Sequence, residues 1–141
     1  MTIPELGTIR ATERPVVVLT SNRTRDLSEA LRRRCLYLWI DFPSLEKELR
    51  IVRTKVPGLN ERLAREIAMF MQSLRRIRLS RLPGVAETLD WARALTTLHA
   101  DHLDVALVLE TLGCVIKDEG DQRVVEQALG DDKLAAMLSL A

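Results

Sequence analysis

Apolar positions along the chain follow two patterns that change at Pro43. Before it, Pro15, Val16, Val17, Val18 and Leu19 run together without polar alternation, and so do Leu36, Tyr37, Leu38, Trp39 and Ile40. Such unbroken runs read as parallel strands covered on both faces, because a strand with one wet face would alternate. The stretch between them can hold a short helix from about Leu27 to Arg33, which would supply the crossover that parallel neighbours require. A hairpin near Thr2 to Arg10 is a further candidate element.

After Pro43 the spacing is helical. Ser44 can cap a helix whose Leu45, Leu49, Val52 and Val56 form one stripe, ended by Pro57 and Gly58. Asn60 can cap the next, with Leu63, Ile67, Phe70, Met71 and Leu74 facing inward. The Arg-rich stretch from Arg75 to Arg81 then leads to Pro83 and Gly84 and reads as a loop. A third helix from about Val85 to Leu98 would bury Leu89, Ala92 and Leu95, and a fourth after Asp104 would bury Leu107, Leu109 and Leu112. The tail from Gln122 also reads as helix. The expected architecture is therefore an α/β remnant over residues 1–43, the end of a parallel sheet, followed by an all-α bundle over 44–141.

The two strands pose a physical problem. A parallel strand buried on both faces is stable only inside a multi-stranded sheet, and no other segment here reads as a long apolar strand. The expectation is a sheet completed by another polypeptide or by the rest of a larger α/β protein.

Composition narrows the classes. A chain of 141 residues, 47% apolar, suits one compact domain rather than a low-complexity or collagen-like chain. Its longest apolar runs fall far short of the ~20 residues that cross a bilayer, and its start has no signal-peptide pattern, so a cytoplasmic protein without a membrane partner is expected. Cys35 and Cys114 match no metal or disulfide framework and read as buried thiols. From His99 onward nine acidic residues face three basic ones, whereas the first 98 residues are basic overall, an asymmetry that suggests charged partners. His99 and His102 form an H-x-x-H, but a structural zinc site needs about four ligands, so no metal site is expected there.

The first apolar run ends in Thr20, Ser21, Asn22 and Arg23, putting polar groups at the carboxyl end of a parallel strand, where α/β sheets bind ligands. An Asn at that place is also a common turn former. The next segment, Asp26, Leu27, Ser28, Glu29, Ala30, Leu31, Arg32, Arg33, Arg34 and Cys35, passes from a short amphipathic helix through an arginine triplet directly into the second run. Taken with Val-Val-Leu-Thr-Ser-Asn before it and Tyr-Leu-Trp-Ile-Asp-Phe-Pro after it, this order resembles the sensor-1 and arginine-finger region of AAA+ ATPases of the MoxR branch. Val85, Ala86, Glu87, Thr88, Leu89, Asp90, Trp91, Ala92 and Arg93 resemble that branch's lid helix, so the resemblance spans about residues 2–129.

The resemblance implies the end of a P-loop NTPase-type core followed by a helical lid. It implies that Asn22 is sensor 1, reporting the γ-phosphate or the attacking water, and that Arg34, with Arg33 as the fallback, is the arginine finger. Such a finger neutralises charge on a γ-phosphate held by the neighbouring protomer. The lid's sensor-2 arginine has no match: Val85 and Ala86 stand near the expected place, with Arg78 and Arg81 upstream as substitutes and Arg93 as a helix-interior alternative. No glycine begins a G-x-x-x-x-G-K-[ST] pattern, and Phe42 follows Asp41 where a Walker-B motif would carry Glu. ATP and Mg2+ are thus expected in a complete family enzyme, and neither tight binding nor hydrolysis in this chain alone. Implied partners are other AAA+ protomers or a segment carrying the phosphate loop, a von Willebrand factor A domain protein and a metalloenzyme client.

Two other readings follow from the residues. Seventeen arginines, among them Arg75, Arg76, Arg78 and Arg81, would suit a nucleic-acid-binding helical domain, but the pI near 7.8 and the few aromatics argue against it. A free-standing interaction module, its strands swapped into a partner, is the other.

Overall fold

The computed structural model describes residues 2–4, 7–8, 13, 16–21 and 28–130. The chain divides into two units, Met1–Ile40 and Asp41–Ala141.

In the first unit, β1 (Thr2–Ile3) and β2 (Gly7–Thr8) pair antiparallel, Thr2 opposite Thr8 and Ile3 opposite Gly7. This pairing falls inside the expected hairpin. Gly7 has φ +74°, a left-handed conformation that costs a residue without a Cβ little. Of the helix expected over Leu27 to Arg33, Leu27 lies outside the described residues and the rest forms a single turn, α1 (Glu29–Arg32), started by Ser28, whose Oγ accepts the Leu31 N–H at 3.3 Å.

The parallel sheet expected from the two apolar runs is not formed among the described residues. Residues 16–20 and 36–40 carry no regular secondary structure, and the side chains of Val16 to Leu19 and Leu36 to Ile40 are 47–104% exposed. The physical reason is the one that made the runs conspicuous. A strand satisfies its N–H and C=O groups only through a neighbour, and no third or fourth strand is present among the described residues to supply one.

The described residues of the second unit form helices and connecting loops, with no strand among them. Helices α2 (Leu45–Lys55), α3 (Glu61–Leu74), α4 (Val85–Thr97), α5 (Val105–Val115) and α6 (Glu119–Gly130) follow one another, the longest connection being residues 75–84 between α3 and α4. Both expected caps are in place, Ser44 Oγ accepting from Lys47 N and Asn60 Oδ1 from Arg62 N, and Asp104 Oδ1 likewise accepts from Leu107 N at the start of α5. Each satisfies one of the donors that a helix start leaves without a partner. Gly58, with φ +85°, turns the chain between α2 and α3. At α4 the Glu87 carboxylate reaches back to the Gly84 N–H at 2.9 Å, the acidic half of a capping box.

Helix α2 packs on α3 and α4, α3 also on α4, and then α4 on α5 and α5 on α6. Their shared core holds Val52, Leu63, Ile67, Met71, Leu74 and Trp91, all fully buried, with Val108 and Val125 joining from α5 and α6. The Phe70 and Trp91 rings lie 5.3 Å apart at a 53° tilt, within the favourable range for an aromatic pair.

Some expected inward positions differ. Leu45 and Leu109 are exposed, and Leu107 and Leu89 are half-buried. In α5 the buried line is Val108, Thr111, Leu112 and Val115, because the helix is apolar almost all round and only its neighbours select a face. Cys35 is exposed and Cys114 half-buried, so the expectation of two buried thiols fails at Cys35, which borders the exposed run.

Candidate functional site

Three groups of polar side chains could carry chemistry. The first is the arginine triplet. Arg33 forms an exposed ion pair with Glu29, one turn earlier in α1. The Arg34 Nη1 donates to the Ala30 carbonyl at 3.0 Å, and no carboxylate among the described residues pairs with it. Arg34 is exposed directly before the second apolar run. Asn22 lies outside the described residues.

The second group is buried in the helical unit. The Glu48 side chain is 0% exposed and its two oxygens are fully engaged. Arg75 Nη1 donates to Oε2 at 2.6 Å, Arg75 Nη2 to Oε1 at 2.7 Å, Gln72 Nε2 to Oε2 at 2.8 Å and Thr88 Oγ1 lies 2.8 Å from Oε1. This bidentate fork is the strongest geometry that a guanidinium and a carboxylate adopt. Arg75 spends its Nε on the Pro83 carbonyl at 2.9 Å, and its guanidinium stands 4.7 Å from the centre of the Phe42 ring, a cation–π distance. Gln72 also donates to the Pro43 carbonyl at 2.9 Å. One acid therefore ties α2, α3, α4, the loop before α4 and the segment entering α2, and among the described residues no buried side-chain polar atom lacks a partner.

This finding changes the reading of the loop. Arg75 belongs on the sequence pattern to an Arg-rich solvated stretch, but its side chain is only 6% exposed, since its partner Glu48 stands 27 residues upstream, where no local pattern reveals it. It is therefore removed from the set that a nucleic-acid reading would use.

The third group surrounds the rest of that loop. Asp121 of α6 receives the Ser80 N–H on Oδ1 at 2.8 Å and the Arg81 N–H on Oδ2 at 3.1 Å. The Ser80 N–H bond, reinforced by Arg81 and opposed by desolvation, holds this carboxyl below the usual aspartate range. Arg78 and Arg81, the substitutes for a sensor-2 arginine, are exposed and have no carboxylate partner among the described residues. At the start of α4, Val85 is half-buried and Ala86 exposed, and Arg93 pairs with Asp90 at 3.0 Å on the helix surface.

Elsewhere the polar groups are structural. Buried Glu66 accepts from Arg62 Nε at 2.7 Å and from the Leu103 N–H at 2.6 Å, fixing the turn before α5. Trp91 Nε1 donates to Thr111 Oγ1 at 2.8 Å across α4 and α5. His99, with φ +55°, closes α4 and lines an open cleft with Asn60, Thr96 and Asp101. His102 is not among that cleft's lining residues, and no group of three His, Cys, Asp or Glu among the described residues is arranged to hold a metal ion. No described helix is long and apolar enough to cross a membrane.

Glu48, Gln72 and Asp121 were not singled out by the sequence, which named Arg75 only as a loop arginine and Thr88 only within the lid-helix resemblance. The only local sign was the placement of Glu48 on the apolar side of α2, one residue before Leu49. No protein-family model, curated protein or solved structure matches this chain.

Proposed function

We propose that the chain serves as the nucleotide-responsive C-terminal portion of a MoxR-like AAA+ ATPase, the end of the core followed by the helical lid. The observation that carries the reading is the exposure of Val16 to Leu19 and Leu36 to Ile40, with Arg34 directly before the second run. Nine large apolar side chains held in water favour covering strands and helices supplied from outside these residues. In that sheet Asn22 acts as sensor 1, and Arg34, with Arg33 as fallback, reaches the γ-phosphate of the next protomer. The helical unit beyond Pro43 supports the lid part of the reading.

ATP and Mg2+ are then held by the segment that carries the phosphate loop, and the lid approaches the nucleotide through Arg81 or Arg78. The partners are neighbouring AAA+ protomers, a von Willebrand factor A domain protein and a metalloenzyme client, with the cytoplasm as the compartment. This chain alone does not turn over ATP, because the backbone cradle and lysine for the β- and γ-phosphates are absent from the sequence.

The test joins the chain in frame behind the phosphate-loop half of a MoxR-branch ATPase and measures phosphate release. Turnover that falls by ~10³ to 10⁵ on Arg34→Ala, in line with trans fingers elsewhere, is the expected result. A folded, active fusion indifferent to Arg34→Ala and Arg33→Ala would sink the assignment.

A further inference from the structure

The loop between α3 and α4 is irregular in backbone yet anchored along its length. Arg75 is clamped by Glu48 and holds the Pro83 carbonyl, while Asp121 grips the N–H groups of Ser80 and Arg81. Ile77 and Leu79 are packed against the core between these anchors. The side chains left facing outward are Arg76, Arg78, Ser80, Arg81 and Leu82.

Glu48 is neutralised by Arg75, and Asp121, whose two oxygens accept the Ser80 and Arg81 N–H groups, sets one negative charge against the loop's three exposed guanidiniums. Arg53, Arg62, Arg93 and Arg123 each face a carboxylate, whereas no carboxylate among the described residues pairs with Arg76, Arg78 or Arg81. Three like charges within six residues repel one another on a backbone that cannot spread them. An anion that binds here meets a backbone already anchored, so only the arginine side chains remain to be ordered on association.

We propose that the Arg76–Arg78–Arg81 ledge is a docking surface for an acidic peptide segment of a partner protein. Arg76 to Arg81 span at most ~17 Å of chain, the reach of a short extended peptide carrying several carboxylates. The loop exposes no aromatic ring on which bases could stack, and the apolar residues between its arginines are turned into the core. Those features favour a peptide over a nucleic-acid strand, whose sequence-tolerant binding draws on such stacking. The inference does not rest on the roles given to Asn22 and Arg34, and it assigns Arg78 and Arg81 to a peptide in place of the nucleotide.

Fluorescence anisotropy of a labelled Glu-rich decapeptide with the full chain tests it. Saturable binding at low salt that weakens as salt is raised is expected, with loss of roughly tenfold or more in R76Q/R78Q/R81Q. The double variant R50Q/R65Q removes two exposed, unpaired arginines from helices α2 and α3 and should bind as the unaltered chain does. An unchanged melting temperature in the triple variant establishes that the fold survives, and if it does not, R76Q and R78Q singly carry the test. Absence of saturable binding, or equal losses in both variants, overturns the proposal. Tighter binding of a single-stranded oligonucleotide through the same arginines, or binding of Mg-ATP there without the peptide, overturns it equally by assigning the loop to another ligand.

Discussion

Val16 to Leu19 and Leu36 to Ile40 are as apolar as any stripe in the helical unit, yet they lie exposed while Leu63, Ile67, Met71 and Leu74 are fully buried. The contrast separates two kinds of hydrophobic segment. A helix closes its backbone hydrogen bonds within itself and then needs only a face to pack against, which α2 to α5 provide for one another. A buried strand needs partners for its backbone as well as its side chains, and a chain with two such runs cannot satisfy both. The same composition therefore gives a finished core after Pro43 and an unfinished one before it.

The largest effects should sit in the finished core. Trp91→Ala removes a fully buried indole and its bond to Thr111, and should cost ~3 to 5 kcal/mol in urea unfolding. Val17→Ala in the same assay should change stability by less than ~0.5 kcal/mol, as for an exposed position. A Val17→Ala cost in the core range for the chain alone would erase the distinction between the two regions. Conversely, a cost that appears only after fusion to the phosphate-loop half would sharpen it.

Equal in size is the loss of the buried ion pair. Glu48→Ala strands the Arg75 guanidinium in an apolar setting and should cost ~3 to 5 kcal/mol, whereas the double change Glu48→Met with Arg75→Met should recover most of that loss. Equal destabilisation in the single and double variants would show that the network supplies stability in its own right. Asn60→Ala, which removes the α3 cap, should cost about 1 kcal/mol by the same measurement.

The smallest expected effect is a dependence on pH. The Asp121 carboxyl is held below its ordinary range by the Ser80 N–H, so the folded state binds its proton less readily than the unfolded chain does. Its contribution is thus full above the ordinary aspartate value, about pH 4, and lost as pH falls through the depressed folded value. Stability curves for the unaltered chain and Asp121→Asn should converge towards acid. Parallel curves from neutrality down to about pH 2 would remove Asp121 from that account.

Much of the helical unit was legible. Ser44, Asn60 and Asp104 announced three helix starts, because a cap acts within one turn and leaves its mark locally. Periodicity also identified Leu63, Ile67, Phe70, Met71 and Leu74 as the inner face of α3. It failed on α5, where an apolar residue stands on nearly every side and Val108 rather than Leu109 turns inward. Of the candidate site residues, the exposed setting of Arg34 and Arg78 is visible in the structure, and Asn22 lies outside the described residues.

By itself, then, the sequence determined which segments after Pro43 are helical and where α2 to α5 begin, properties set by neighbours a few positions away, whereas α6 starts at Glu119 rather than the expected Gln122. Tertiary structure decided which arginines are anchors and which are surface. Glu48 reaches Arg75 across 27 residues and Asp121 reaches Ser80 across 41, and a charge is neutralised by whatever the fold brings within a few ångströms, not by what stands beside it in the chain.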